Sequence, residues 1–300
     1  MQINMIRSDK VYQEMLELPL EKREGCFRAK ILAPFATKYQ TQHIPLKAKY
    51  PGGFDALFLL GFMNLLPGTL SEKDRPSIDA LSSDQLWQNC QDTIKRSIGL
   101  FEQAGYDLEV EDYHFTILLG NPEKPMLQLN KGYSGDGGIP GYLMLSLLPN
   151  DYTLPRVQAA LAHECNHNVR FQFIKWNQQT TLADWVVSEG LAESFAAELY
   201  GKDLIGPWVT STSPEQLEEI KPIISSRLQL TGMAEMAPYL YGDEIAEIQG
   251  QLPVGMPYAA GYAYGYHLIQ TYLKKTGKSI IEATVTSTEE ILEVTKDFWK

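Results

Sequence analysis

The sequence predicts an α+β fold, with a small sheet in the middle of the chain and a mainly helical C-terminal lobe. Three observations lead there. Two short apolar runs, residues 114–119 and 142–148, read as strands on either side of a glycine-rich loop at 132–141. Val157, Ala160 and Leu161 then give an apolar helix face that runs into His163-Glu164-Cys165-Asn166-His167. From Pro207 onward the pattern is mostly helical, broken at Pro222, Gly232, Pro238, Gly242, Pro253 and Pro257.

The elements follow in order. Residues 11–20 look helical. The longest apolar run, 54–66, opens after Gly52-Gly53, closes at Pro67-Gly68 and contains Asp55, Gly61 and Asn64. It is too short to span a bilayer and reads as a buried helix. Ser82 with Gln85 suggests a capping box for a helix carrying Leu86, Cys90, Ile94, Ile98 and Phe101, which Gly105 ends. Asp151 or Thr153 can cap the helix that enters the histidine motif, and Pro155 suits its first turn. A second helix starts near Leu182 or Asp184 with Trp185, Ala192, Phe195, Ala196 and Leu199 on its core side, and Gly201 stops it. Residues 258–273 form a further helix. The organisation expected is a mainly helical region over 1–110 and a second region over 111–300, with no clear linker, so that both can form one compact unit.

Composition narrows the function. An apolar content of 44% and a charged content of 21% are ordinary for a globular chain. A net charge of −11 argues against a nucleic-acid partner. Residues 1–30 mix charges throughout and lack the apolar core of a signal peptide. No transmembrane segment is expected. Cys26, Cys90 and Cys165 are odd in number and widely spaced, which gives no disulfide framework and suits a reducing, cytoplasmic location.

The chemistry lies in H-E-x-x-H. On a helix, His163 and His167 share a face and can grip one metal ion, while Glu164 beside them can take a proton from water. A catalytic zinc needs three protein ligands and one open position. The pattern that continues with Gly at 170 and His at 173 is excluded by Arg170 and Phe173. His43, His114 and His267 are distant in sequence. The next helix offers Glu189 and, one turn on, Glu193. Glu189 is assigned as third ligand to Zn²⁺ and Glu193 as the carboxylate that orients a ligand histidine; the reverse assignment stays open. Cys165 reads as a small packed hydrophobe.

These residues resemble a known group. His163-Glu164-Cys165-Asn166-His167 followed by Glu189 looks like the gluzincin metallopeptidases, in which a glutamate on the next helix completes the metal site. Glu189-Gly190-Leu191-Ala192 resembles the N-E-G-F-A segment of the M-one aminopeptidases, with Ser188 in place of the usual Asn. Glu193 matches the acidic residue that orients a ligand histidine in thermolysin-like enzymes. A closer resemblance is to bacterial predicted zinc-dependent proteases of the YjaZ type, over His163 to Arg170, Ser188 to Glu193, Gly137-Gly138-Ile139 and Gly261 to His267.

The resemblance implies a zincin-like fold, zinc, and hydrolysis of a peptide or protein substrate with Glu164 as general base. It implies that an edge strand before the motif pairs with the substrate, which singles out Gly138, Ile139, Gly141 and Tyr142. It also implies that a Tyr or His from a C-terminal helix points at the zinc. Tyr258, Tyr262 and Tyr266 share one helix face, and the order of preference is Tyr262, Tyr266, His267. Gly261 and Gly265 would let another backbone approach. No G-x-M-E-N segment is present, which favours an endopeptidase over an aminopeptidase. Two alternatives stand beside this reading: a non-proteolytic, chaperone-like protein that binds zinc, and a fold without metal.

Overall fold

The computed structural model describes residues 1–299. The chain is α+β, mostly helical, with one small mixed sheet. Its contacts group into two compact units, Met1–Arg96 with Glu109–Glu164, and Ser97–Leu108 with Cys165–Lys300.

The first unit holds the sheet: β1 (Gln2–Met5), β2 (Asp112–Leu119), β3 (Tyr133–Ile139) and β4 (Tyr142–Leu147), in the order β1-β2-β4-β3. β1, β2 and β4 run parallel, and β3 returns antiparallel to β4. Tyr113, Phe115, Ile117, Leu118 and Leu119 of β2 are all buried, as an inner strand covered on both faces requires. Around it lie α1 (Ser8–Glu17), α2 (Leu20–Phe27), α3 (Ala36–Thr41), α4 (Ala56–Leu60) and α5 (Arg75–Leu81), the start of α6 (Asp84–Gln103), then α7 (Pro125–Leu129) and the first half of α8 (Val157–Phe173). Tyr12 of α1 accepts the Leu119 N–H at 3.2 Å and so ties α1 to the sheet. A boundary near residue 110 was expected from sequence. The contacts instead place residues 1–96 with the sheet, because β1 pairs with β2.

The second unit is helical. It contains α9 (Leu182–Tyr200), α10 (Pro207–Thr210), α11 (Pro214–Ser225), α12 (Met233–Tyr241), α13 (Asp243–Ile248), α14 (Ala260–Thr276), α15 (Ile280–Thr284), α16 (Thr288–Val294) and α17 (Lys296–Trp299). A capping box at Thr181 and Asp184 starts α9, and Gly201, at φ +95°, ends it. α9 and α14 cross backbone to backbone: a Cβ on Gly190 would overlap the Gly265 carbonyl, and one on Gly265 would overlap the Val186 carbonyl. Gly261 gives the same close approach to α12, where a Cβ would meet the Leu240 Cα at 2.8 Å.

Several local expectations change. The glycine-rich segment expected as a loop is strand β3, because ladder hydrogen bonds need only backbone. β3 is therefore an edge strand, as is β1, and Tyr142–Leu147 lies between β2 and β3. Within 54–66 only Ala56–Leu60 is helical, and Phe54, Phe58 and Phe62 are exposed. Asp55 caps α4 by accepting the Phe58 N–H at 2.9 Å and pairs with Arg28 at 2.8 Å. Ser82 closes α5 rather than capping α6; it donates to the Ile78 carbonyl, and Ser83 Oγ takes the Leu86 N–H. Thr153 likewise donates to the Leu148 carbonyl instead of capping a helix, and a short turn at Leu154–Arg156 leads into α8. Among the described residues no helix is long and apolar enough to cross a membrane.

Candidate metal centre

α8 carries His163, Glu164 and His167, and residues 161–170 are all buried. α9 carries Glu189. The ligand atoms of His163, His167 and Glu189 all lie within 4.8 Å of one another, and all three residues are buried. His167 Nε2 and Glu189 Oε2 are 3.3 Å apart. Buried donor atoms this close together can face one cation. The donor set, two imidazoles and a carboxylate, is that of a zinc site with an open position, so the residues fit the ion.

The surroundings hold these groups in place. The His167 ring stacks on Phe171 at 5.6 Å with planes 5° apart, and Phe171, Trp176 and Trp185 continue the aromatic chain. Arg170, fully buried, donates to Ser188 Oγ, to the carbonyls of Thr284 and Thr286, and to Thr288 Oγ1. It thus pins α8 to the residue before Glu189 and to α15 and α16. Burial lowers its pKa to about 10, which still leaves it charged at neutral pH. Asn166 donates to Thr284 Oγ1 at 2.7 Å and secures the same side of α8. A buried arginine leaves no periodic signal in the sequence.

Glu164 sits under the edge strand. A Cβ on Gly135 would overlap the Glu164 carboxylate, and one on Gly137 would lie 2.8 Å from the Glu164 carbonyl carbon. Asp136, between these glycines, pairs with Lys38 of α3 at 2.8 Å, and the Lys38 side chain is almost wholly buried. An N-terminal helix therefore fixes the strand that covers the glutamate. Of the expected strand residues, Gly138 and Ile139 lie on β3. Gly141 occupies the turn at φ +87°. Tyr142 lies on the inner strand with its ring stacked on His114 at 5.3 Å and tilted against Phe35. Of the glycines closest to Glu164, Gly137 belongs to the Gly137-Gly138-Ile139 resemblance and Gly135 only to the glycine-rich segment.

On α9 the Glu193 carboxylate accepts the Gly206 N–H and the Trp208 Nε1–H, each at 2.7 Å. Trp208 also faces Tyr262 at 6.4 Å, and Tyr262 faces Tyr241 at 6.1 Å. Tyr241 bonds to Tyr262, and its pKa is raised by burial and then by the charge of Glu189. Tyr266 is buried, and its pKa is raised by burial and then by Glu193. His267 lies edge-on to Tyr266; its pKa is lowered by burial and then by Lys221 of α11. Tyr241 and Trp208 had no sequence signal. His43 lies exposed at positive φ, and His114 lies in the sheet.

Residues 86–293 match the family described as "Predicted Zn-dependent protease (DUF2268)". The chain is 34% identical over 293 residues to "Uncharacterized protein YjfC" of Bacillus subtilis (strain 168), covering 97% of each chain. It is 27% identical over 154 residues to "Uncharacterized protein YjaZ" of the same organism, covering 50% of this chain and 55% of that one. No solved structure matches the chain. The chain belongs to the predicted zinc-dependent protease family that includes these YjaZ-like proteins.

Proposed function

We propose that this protein is a zinc-dependent peptidase with a zincin-like fold of gluzincin type, cutting within peptide or protein chains. The observation that carries the reading is the buried group of His163, His167 and Glu189, with Glu164 next to His163 on the same helix and against the glycines of an edge strand. His163, His167 and Glu189 would hold the ion. When bound, Zn²⁺ supplies Lewis acidity and lowers the pKa of water to about 7. Glu164 takes a proton from the attacking water and delivers it to the leaving amine. β3 is an outer strand of the sheet and lies against Glu164, so a peptide added along it through Gly138 and Ile139 brings its scissile bond to that carboxylate. Tyr262, held by Tyr241 and Trp208, is the preferred hydroxyl donor to the developing oxyanion, with Tyr266 next. Glu193, one turn on from Glu189, holds Gly206 and Trp208 and would orient a ligand histidine.

The test is metal analysis together with digestion of a peptide library by wild type and Glu164→Gln. The variant should keep stoichiometric zinc and lose about 10²–10⁴ in turnover. Full cleavage by the variant would remove Glu164 from the mechanism. Stoichiometric zinc with no turnover by wild type, and retention of one partner, would favour the zinc-binding, non-proteolytic alternative.

A further inference from the structure

The structure leaves one apolar surface that neither the core nor the metal centre uses. Phe54, Phe58 and Phe62 are 53%, 48% and 52% exposed. They follow one another at intervals of four, and their rings touch in sequence, with centroids 5.9 and 5.5 Å apart. Tyr50, just before them, is exposed as well. A contiguous ridge of exposed aromatic rings is rare on a monomer and marks a contact surface. It is held rigidly, since Asp55 accepts the N–H groups of Phe58 and Ala48 and pairs with Arg28.

Charge identifies the occupant. Between Glu24 and Glu72 the single acidic residue is Asp55, which is buried and paired with Arg28. Lys47 and Lys49, beside Tyr50, are exposed. A chain of net charge −11 thus presents two exposed lysines next to its aromatic ridge, while the exposed Glu24 nearby is paired with Arg28. A symmetric contact between two copies would bring the lysines of both together and repel. An anionic lipid surface takes both halves of the patch, the rings at the acyl boundary and the ammonium groups at the headgroups. We infer that the segment from Lys47 to Phe62 docks this protein on anionic membranes.

The experiment is sedimentation with phosphatidylcholine vesicles with and without phosphatidylglycerol. Wild type should bind the anionic vesicles, bind the neutral ones far more weakly, and be released by high salt. The triple variant Phe54→Ser, Phe58→Ser, Phe62→Ser and, separately, the double variant Lys47→Glu, Lys49→Glu should each lose about tenfold or more in vesicle affinity. Zinc content and thermal unfolding should stay at wild-type values, since the replaced side chains are exposed. No vesicle binding by wild type, or binding that both variants keep, overturns the inference. A dimer that only the triple variant dissolves, without vesicle binding, overturns it in favour of a second copy. The readout is independent of peptide turnover, so it stands or falls apart from the proposed activity.

Discussion

Gly135 lies directly against the Glu164 side chain, so closely that any Cβ there would overlap the carboxylate, while its neighbour Gly137 meets the Glu164 backbone. The two glycines therefore respond differently to substitution. At Gly135 the obstacle is the end of a flexible side chain, so Gly135→Ala should fold, keep its zinc and lose peptide turnover as Glu164 is displaced. At Gly137 the obstacle is main chain, and Gly137→Ala should cost about 1–3 kcal/mol of stability. Thermal unfolding, metal content and turnover on both variants check this. Equal behaviour of the two would refute it.

Removal of metal should loosen the protein. His163, His167 and Glu189 are buried together, and a ligand at about a thousand times its Kd adds about 4 kcal/mol. Chelation should lower the Tm, zinc should restore it, and His167→Ala should abolish both responses. Calorimetry with and without chelator is the measurement.

The contact of α9 with α14 carries Glu189 into place, because Gly190 follows it and rests on Gly265. Gly190→Ala or Gly265→Ala forces two backbones apart and should cost about 1–3 kcal/mol or more, with loss of zinc affinity. Gly25→Ala, where a Cβ meets nothing within 4 Å, is the control and should be silent or mildly stabilising.

Arg170→Met should be severely destabilising. It strands the carbonyls of Thr284 and Thr286, each accepting from this one guanidinium. Leaving buried acceptors unsatisfied costs about 1–3 kcal/mol apiece. Urea unfolding measures the loss, and a change below about 1 kcal/mol would show that water replaces the arginine.

Acid should release the Phe54–Phe62 segment. Burial alone would raise the Asp55 pKa, but the N–H groups of Phe58 and Ala48 and the Arg28 guanidinium outweigh it and hold it below the usual carboxylate range. A depressed folded pKa stabilises above the unfolded value near 3.9 and is lost as pH falls through the folded one. Wild type should therefore exceed Asp55→Asn in stability at neutral pH, and the difference should shrink below about pH 4. A gap that persists in acid would show that Asp55 acts without its charge.

Much of the local structure was legible because it is written at short range. The α9 stop at Gly201 and the helix over residues 260–276 follow from glycine and apolar spacing. β2 and β4 follow from apolar runs. The strand character of the Gly135–Gly137 segment was not legible, since glycine carries no strand propensity and the pairing comes from β4. The pairing of Asp55 with Arg28 was not legible either, since it joins residues 27 positions apart.

By itself the sequence determined the donor types and their order: two histidines one helical turn apart, the glutamate between them, and a carboxylate on the following helix. Those follow from helix periodicity, which is local. Only the tertiary structure decided that Glu189 stands 3.3 Å from His167, that Gly135 and Gly137 lie on Glu164, and that Tyr241 and Trp208 flank Tyr262. Those relations join distant parts of the chain through packing, and packing depends on the shapes that meet rather than on spacing along the sequence.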